Sequence, residues 1–328
     1  MTEGRRFMKL LNKLIKFARD AWVIFGIAIL MLVVIEAVIS LGFYIRGFWH
    51  SPDPNYWLKA DTYAGASWTP QYFREFEELG LLRWEPYVYW RRRPHQGNGI
   101  NVNSDGIRKT YKDDAPEAPG STVKVFMFGG STMWGVGARD DFTIPSYFAK
   151  EVESRGIHCK VTNFGQSGYV STQEVIELSL QIRNGNIPDV AIFYDGGNDT
   201  GAAFQYGVAG LPQNEYNREV EFNLLQKDEL RSLAVRDAVK RLSIIRFING
   251  ALSGLVASRS DIRFRPLECA KPISDKQALA RAVIERYLSN VKLAQALSKF
   301  YGFKCLFYWG VSHPSNGKSR QSLAFPMI

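Results

Sequence analysis

Cysteine and histidine are both scarce in this sequence, which has three cysteines and four histidines in 328 residues. The cysteines are Cys159, Cys269 and Cys305, and their odd number excludes a fully paired intrachain disulfide framework. Cysteines and histidines scattered in this way offer no cluster of metal ligands. We therefore expect no metal and no cofactor. We expect Cys159 and Cys305, which lie in or beside predicted strands, to be buried free thiols.

Nucleotide-binding and nucleic-acid-binding signatures are also missing. The chain has no Gly-x-x-x-x-Gly-Lys-Ser/Thr loop, and no Gly-x-Gly-x-x-Gly follows a predicted strand. The net charge of +9 is dispersed, with part in the first twenty residues and part in the Arg-Arg-Arg run at 91–93. No nucleic-acid-binding motif surrounds either cluster, so we attribute this charge to membrane topology and a solvated basic face, and expect no nucleic-acid partner.

Residues 22–45 form an apolar run that is long enough to cross a bilayer as one helix. Basic residues precede this run, and the positive-inside rule then places residues 1–21 in the cytoplasm and the rest of the chain outside it. The run exceeds the apolar region of a signal peptide, and no clear Ala-x-Ala site follows it. We therefore predict an uncleaved signal anchor. Glu36, inside the run, is expected to be protonated or paired with another helix.

After a lead-in rich in Trp, Tyr and Pro over residues 46–118, strand-like and helix-like patterns alternate. The predicted strands are Val123–Phe128, Lys160–Phe164, Val190–Tyr194 and Phe303–Trp309. The predicted helices are Pro70–Leu81, Thr143–Arg155, Ser171–Arg183, 224–256 and 274–299, with a loop over 201–222. Alternation at this spacing predicts an α/β domain over residues 119–328, with a doubly wound, flavodoxin-like parallel sheet.

Each of the first three strands ends in a polar cluster: Gly-Gly-Ser-Thr at 129–132, Asn-Phe-Gly-Gln-Ser-Gly at 163–168, and Asp-Gly-Gly-Asn-Asp at 195–199. In a doubly wound sheet these ends converge on one crevice. Ser131 is then well placed as a nucleophile. The backbone N–H groups of Ser131 and Gly165 and the side-chain amide of Asn198 could stabilise a developing oxyanion. The alternative is that the Gly-Gly-Ser-Thr segment is only a tight turn with a helix-capping hydroxyl.

The three clusters, in this order on consecutive strands, resemble the SGNH (GDSL-type) hydrolase superfamily over about residues 119–200. The segment Asn-Val-Asn-Ser-Asp-Gly-Ile-Arg at 101–108 looks like the lead-in of membrane-anchored members. The resemblance implies that Ser131 is the nucleophile, with an oxyanion hole formed by Ser131 N–H, Gly165 N–H and Asn198. It implies a serine esterase that acts on an ester-linked acyl group of a lipid or glycan outside the cytoplasmic membrane.

The sequence departs from the superfamily pattern at its carboxyl end, where a late Asp-x-x-His would supply the base. His313 is the only histidine after residue 158, and no acidic residue follows Glu285. We expect either a domain that is incomplete at this end, or His313 as the base. An unassisted serine is a weak nucleophile, so a missing base would leave the enzyme nearly inactive. An O-acyltransferase of the same fold, a non-catalytic membrane-anchored glycan-binding module and a nonfunctional remnant stay open as alternatives.

Overall fold

The structure is a computed structural model. It describes residues 2–50, 61–63, 65–80, 82–112, 122–215, 217–219, 222, 242–245, 247–248 and 273–310. The chain divides into two compact units. One comprises residues 1–56 and 221–264, and the other residues 57–220 and 265–328. The lead-in predicted over 46–118 therefore contributes residues to both units. His313 and Cys269 lie outside the described residues, as does most of the helix predicted over 224–256.

The first unit contains helix α1 (Thr2–His50), whose segment Lys13–Ile45 is long and apolar enough to cross a membrane. This segment includes the whole run predicted over residues 22–45. The carboxylate of Glu36 accepts hydrogen bonds from the backbone N–H groups of Ser243, at 2.5 Å, and Ile244, at 2.9 Å. Glu36 thus contacts a second helical segment of the same unit, which is one of the two roles predicted for it.

The second unit contains five short lead-in elements and an alternating series of strands and helices. The lead-in elements are α2 (Thr69–Glu78), β1 (Arg83–Glu85), β2 (Tyr89–Arg91), β3 (His95–Gln96) and β4 (Asn101–Val102). The alternating elements are β5 (Val123–Gly129), α3 (Ser131–Trp134), α4 (Ile144–Ser154), β6 (Cys159–Asn163), α5 (Ser171–Arg183), β7 (Val190–Asp195), α6 (Gly197–Tyr206), α7 (Lys276–Tyr301) and β8 (Lys304–Trp309).

Strands β5 to β8 form a parallel sheet in the order β6-β5-β7-β8. The chain therefore starts inside the sheet, moves to one edge and then crosses to the other side, as in flavodoxin-like folds. Helix α4 packs on one face through Ala149, whereas α5 and α7 cover the other face through Leu178 and Ala294. The prediction of an α/β, doubly wound parallel sheet is confirmed.

A row of phenylalanines crosses the sheet on the face covered by α5 and α7. Phe128 stacks on Phe164 with ring centroids 5.2 Å apart and on Phe193 at 4.8 Å, and Phe193 stacks on Phe307 at 5.0 Å. Each ring contributes large apolar burial as well as a favourable offset contact with its neighbours. This row fixes the register of the strands directly below the ends that carry the polar clusters.

Two predictions made from the sequence are wrong. The loop predicted over residues 201–222 begins in fact with helix α6, since the Gly-Asn-Asp-Thr-Gly start at 197–201 is compatible with a helical first turn that Asp199 stabilises. Cys159 and Cys305 are free thiols but only partly buried, because they lie near the amino-terminal ends of the two edge strands.

Candidate active site

Ser131 lies immediately beyond the carboxyl end of β5, as the first residue of the short helix α3. Gly130 precedes it in an extended conformation, and a Cβ atom at Gly130 would come within 2.1 Å of Asn198 Nδ2. Only glycine allows this close approach of the turn to the Asn198 amide. The Ser131 side chain is half-buried, and its Oγ has no hydrogen-bond partner among the described residues.

Ser131 and Asn198 line one cavity of about 190 Å³ at the carboxyl edge of the sheet. Its other lining residues include Tyr169, Glu174 and Asp195. The cavity thus joins the ends of β5 and β7 with the first turns of α5 and α6. Two of the three residues predicted for the site are brought together in it.

The Asn198 amide is held in a defined orientation. Its Nδ2 donates one hydrogen bond to the backbone oxygen of Tyr169, at 2.7 Å, and its second N–H has no partner among the residues that the structure describes. The Tyr169 hydroxyl in turn donates to the backbone oxygen of Trp90, at 2.6 Å. Next to Asn198, Asp199 accepts from the hydroxyl of Ser171, at 2.6 Å, and ties the start of α6 to the start of α5.

Gly165 has a different position from the one predicted, because it is not among the residues that line the cavity. Its backbone N–H donates to Asn163 Oδ1 at 3.0 Å, and a Cβ atom here would come within 2.5 Å of the backbone nitrogen of Trp134. Gly165 therefore allows β6 to approach α3. Three residues later, the backbone N–H of Gly168 has no hydrogen-bond partner among the described residues.

Arg108 supports the turn that follows Ser131, a role that was not predicted from the sequence. This fully buried guanidinium pairs with Asp140, with Nε 2.9 Å from Oδ1, and donates to the backbone oxygens of Gly135, at 2.7 Å, and Ala138, at 2.6 Å. It also lies over the Trp134 ring, 4.2 Å from the centroid. The sequence contains no clear signal for this role, because Arg108 follows an Asn-Ser-Asp-Gly turn and precedes the polar residues Lys109 and Thr110.

Three carboxyls lie at this edge of the sheet, and burial is the main cause of their perturbation. It raises the pKa of Glu174 well above its ordinary value, and Asp195 beside it contributes in the same direction. Burial also raises the pKa of Asp195 to about 7 and raises that of Asp199. Glu174 could have been found from the sequence, because it lies four residues before Leu178 and thus on the buried stripe of α5.

No histidine among the described residues lines the cavity. His158 is exposed, and His95 lies in β3 with a buried Nε2 that has no partner. Within the ranges that the structure describes, no group of three or more His, Cys, Asp or Glu residues is arranged to hold a metal ion.

No protein-family model and no curated protein matches the chain. Among solved structures it is similar to AlinE4, a SGNH-hydrolase family esterase, with 25% identity over 25% of this chain and 44% of that chain, at a TM-score of 0.24. It is also similar to TesA, with 15% identity over 52% of this chain and 98% of that one, at 0.23. A mutant of Axe2, an acetyl xylan esterase from Geobacillus stearothermophilus, has 14% identity over 57% and 76%, at 0.25. These likenesses cover 25–57% of this chain.

Proposed function

We propose that this protein is a membrane-anchored serine esterase in which Ser131 attacks the acyl carbon of an ester. One observation carries the proposal: Ser131 and the oriented Asn198 amide share a cavity at the carboxyl edge of a parallel sheet. Open α/β sheets bind their ligands at this edge. A hydroxyl nucleophile beside an amide donor is the minimum that acyl transfer needs.

In the proposed reaction, Ser131 Oγ forms a bond to the acyl carbon and the carbonyl oxygen becomes negative. The second N–H of Asn198 Nδ2 and the backbone N–H of Ser131, which has no backbone partner among the described residues, donate to this oxygen. The third donor predicted from the sequence is the backbone N–H of Gly165, which already donates to Asn163 Oδ1. Neither Gly165 nor Gly168 is among the residues that line the cavity, so the third donor stays a prediction.

The ester that fits this proposal is an acylated lipid or glycan outside the cytoplasmic membrane. The support is the apolar segment Lys13–Ile45 of α1, together with the basic residues that precede it in the sequence. A membrane anchor keeps the catalytic unit near substrates that are themselves held at a cell envelope. Whether water or a sugar hydroxyl accepts the acyl group decides between a hydrolase and an acyltransferase.

The test uses the full chain in detergent micelles, a fluorophosphonate that labels activated serines, and peptide mapping of the labelled site. We expect labelling at Ser131 that is lost in Ser131→Ala. Ser154→Ala is the matched control, since Ser154 lies at the end of α4 and its hydroxyl bonds only to Glu151 O. Turnover of a p-nitrophenyl ester should follow the same pattern. A folded protein that is not labelled, and that binds acylated glycans equally well as Ser131→Ala, would instead be a binding module.

A further inference from the structure

The buried carboxyls of the second unit other than Glu174 and Asp195 have ion-pair or hydrogen-bond partners. Glu177 and Asp140 form ion pairs with Arg91 and Arg108. Glu75 accepts backbone N–H bonds from residues 98–100, and Asp199 accepts from Ser171. By contrast, no Lys or Arg within the described ranges pairs with Glu174 or Asp195, although only 1% and 8% of their surfaces are exposed. A buried carboxyl without a cation is costly, so its retention at one place in the fold requires an explanation.

The unpaired carboxyl oxygens of these two residues belong to the Ser131 cavity. Glu174 Oε2 and Asp195 Oδ1 are buried and, apart from contact between the two carboxyls, have no hydrogen-bond partner in the described part of the chain. Both residues line the cavity with Ser131 and Asn198. Polar atoms that are buried and unsatisfied in a cavity beside a nucleophile mark a place where a reacting group or a proton is handled.

Glu174 and Asp195 line the same cavity, and a hydrogen bond between their carboxyls is among the causes that shift the pKa of each. Two carboxylates cannot donate to each other, so one member of the pair must carry a proton. Burial raises the pKa of both carboxyls, that of Asp195 to about 7, and the hydrogen bond between them raises the pKa of Glu174 but lowers that of Asp195. Glu174 is therefore the protonated donor, and Asp195 becomes the carboxylate near neutral pH. The other titratable groups that face Asp195 are Asp199, on α6, and the phenol of Tyr287, on α7.

The sheet register brings Asp195 next to the nucleophile. Gly129, the last residue of β5, pairs with Tyr194 on the neighbouring parallel strand β7. One residue further along each strand, Asp195 is level with Gly130, which directly precedes Ser131. Neighbouring strands lie about 4.8 Å apart. The backbone at Asp195 thus lies about one strand spacing from that at Gly130, and Asp195 and Ser131 line the same cavity.

We propose that Asp195, hydrogen-bonded by protonated Glu174, accepts the Ser131 proton when the serine attacks an ester. This inference rests on the proposed function. In the first half of the reaction, the Ser131 O–H bond breaks as the Oγ–C bond forms, and the proton passes to the Asp195 carboxylate. It then passes to the alcohol oxygen as the ester C–O bond breaks. In the second half, Asp195 takes a proton from the attacking water and returns it to Ser131 Oγ as the acyl-enzyme is released as an acid.

The experiment measures the rate of fluorophosphonate labelling at Ser131 against pH, with the full chain in detergent micelles. In the wild type the rate should rise with pH to a plateau, with a midpoint at about pH 7. Asp195→Asn should lower the rate at pH above the midpoint by about 10²- to 10⁴-fold, the usual contribution of a general base, and should remove the pH dependence.

Substitutions of Glu174 form the second part of the experiment. They test whether a hydrogen bond from Glu174 sets the pH midpoint of Asp195. Glu174→Gln keeps a hydrogen-bond donor beside Asp195, so the midpoint should stay close to that of the wild type. Glu174→Leu removes the donor and leaves the buried carboxylate less stabilised, so the midpoint should move to higher pH by about one unit or more. Asp141→Asn is the matched control, because Asp141 is exposed and does not line the cavity.

The outcomes separate this inference from the proposed function. If Asp195→Asn is labelled at the wild-type rate while Ser131→Ala is not labelled, Ser131 is the nucleophile and its base lies elsewhere, which overturns only the role of Asp195. If the folded wild type is not labelled at any pH, both proposals fail. If Asp195→Asn does not fold, the Glu174→Leu midpoint decides, and an unchanged midpoint would refute the role of the pair. Infrared spectra provide a readout without labelling: a protonated carboxyl band at pH 8 should disappear in Glu174→Gln, and its absence from the wild type would refute the shared proton.

Discussion

Replacing Arg108 by methionine should be among the most damaging changes in the second unit. The methionine keeps an unbranched side chain over the Trp134 ring but removes the partner of Asp140 and the donor to the backbone oxygens of Gly135 and Ala138. Removing one member of a buried ion pair leaves the other charge uncompensated, at a cost of about 3–5 kcal/mol. In a domain of about 150–250 residues each kcal/mol lowers Tm by about 2–4 °C, so the melting temperature should fall by roughly 6–20 °C.

Thermal unfolding of the full chain in micelles, followed by near-UV circular dichroism, measures this effect. A double-mutant cycle with Asp140→Asn should give a coupling free energy of about 1–3 kcal/mol, because the two side chains share the interaction. Arg108→Lys should lie between wild type and Arg108→Met, since an ammonium cannot reproduce the fork of the guanidinium.

The control is Arg155→Met, an exposed arginine whose pair with Glu151 lies on the surface of α4 and should contribute little. The reasoning is refuted if Arg108→Met melts at the same temperature as Arg155→Met, or if the Arg108 and Asp140 substitutions are additive. Arg108→Met should also slow the labelling of Ser131, since Arg108 holds the turn that follows α3.

Three further predictions concern the oxyanion donor, the buried pair and the anchor. Asn198→Ala should lower kcat for a p-nitrophenyl ester by about 10²- to 10³-fold with KM nearly unchanged, as expected for a donor used in the transition state; an unchanged kcat would contradict this role. Burial raises the pKa of Asp195 from 3.8 to about 7, so between these pH values the folded chain holds a proton that the unfolded chain has released, and stability falls as the pH rises. Asp195→Asn should therefore raise Tm at pH 8 but change it little at pH 4, and an equal effect at both would disprove the linkage. Leu32→Arg, near the middle of the apolar segment of α1, should make the free energy of membrane insertion less favourable by about 2.5–3.5 kcal/mol. Less protein should then remain in the carbonate-washed membrane fraction, and an unchanged fraction would count against a membrane span.

The sheet could be predicted from the sequence because each strand has a simple local signal. Val123–Gly129 and Val190–Asp195 are mostly apolar runs with glycine at or just after their ends, as expected for strands covered on both faces. Helix α5 was predicted with its observed bounds, Ser171–Arg183. Helix α6 was missed because its first residues have the composition of a loop. What favours the helix there is the contact of Asp199 with Ser171, which lies 28 positions earlier in the chain.

The candidate site was predictable only in part, because some of its residues are placed by side-chain contacts and not by the strands alone. Ser131 and Asn198 follow strands directly, so parallel packing brings them to the same edge of the sheet. The residue of the 163–168 segment, after β6, that could donate to the oxyanion depends on which backbone N–H group there is left unpaired. Asn163 engages the N–H of Gly165, and no periodicity predicts such a side-chain contact. Arg108 also acts through contacts distant in sequence, so its role was visible only once Asp140 and α3 were placed around it.

Replacing either of the two charged residues Arg108 and Asp195 should slow the labelling of Ser131, but the two replacements should change the melting temperature in opposite directions. The charge of Arg108 is paired with Asp140 and its N–H groups donate to backbone oxygens. Its replacement should therefore lower both the melting temperature and the labelling of Ser131. Asp195 is buried without a cation, so its replacement by asparagine should raise the melting temperature at pH 8 while it lowers the labelling rate. Functional groups are often retained at such a cost to stability. A rise in Tm together with a loss of labelling in Asp195→Asn cannot result from general disruption of the fold, because a disrupted fold would lose both.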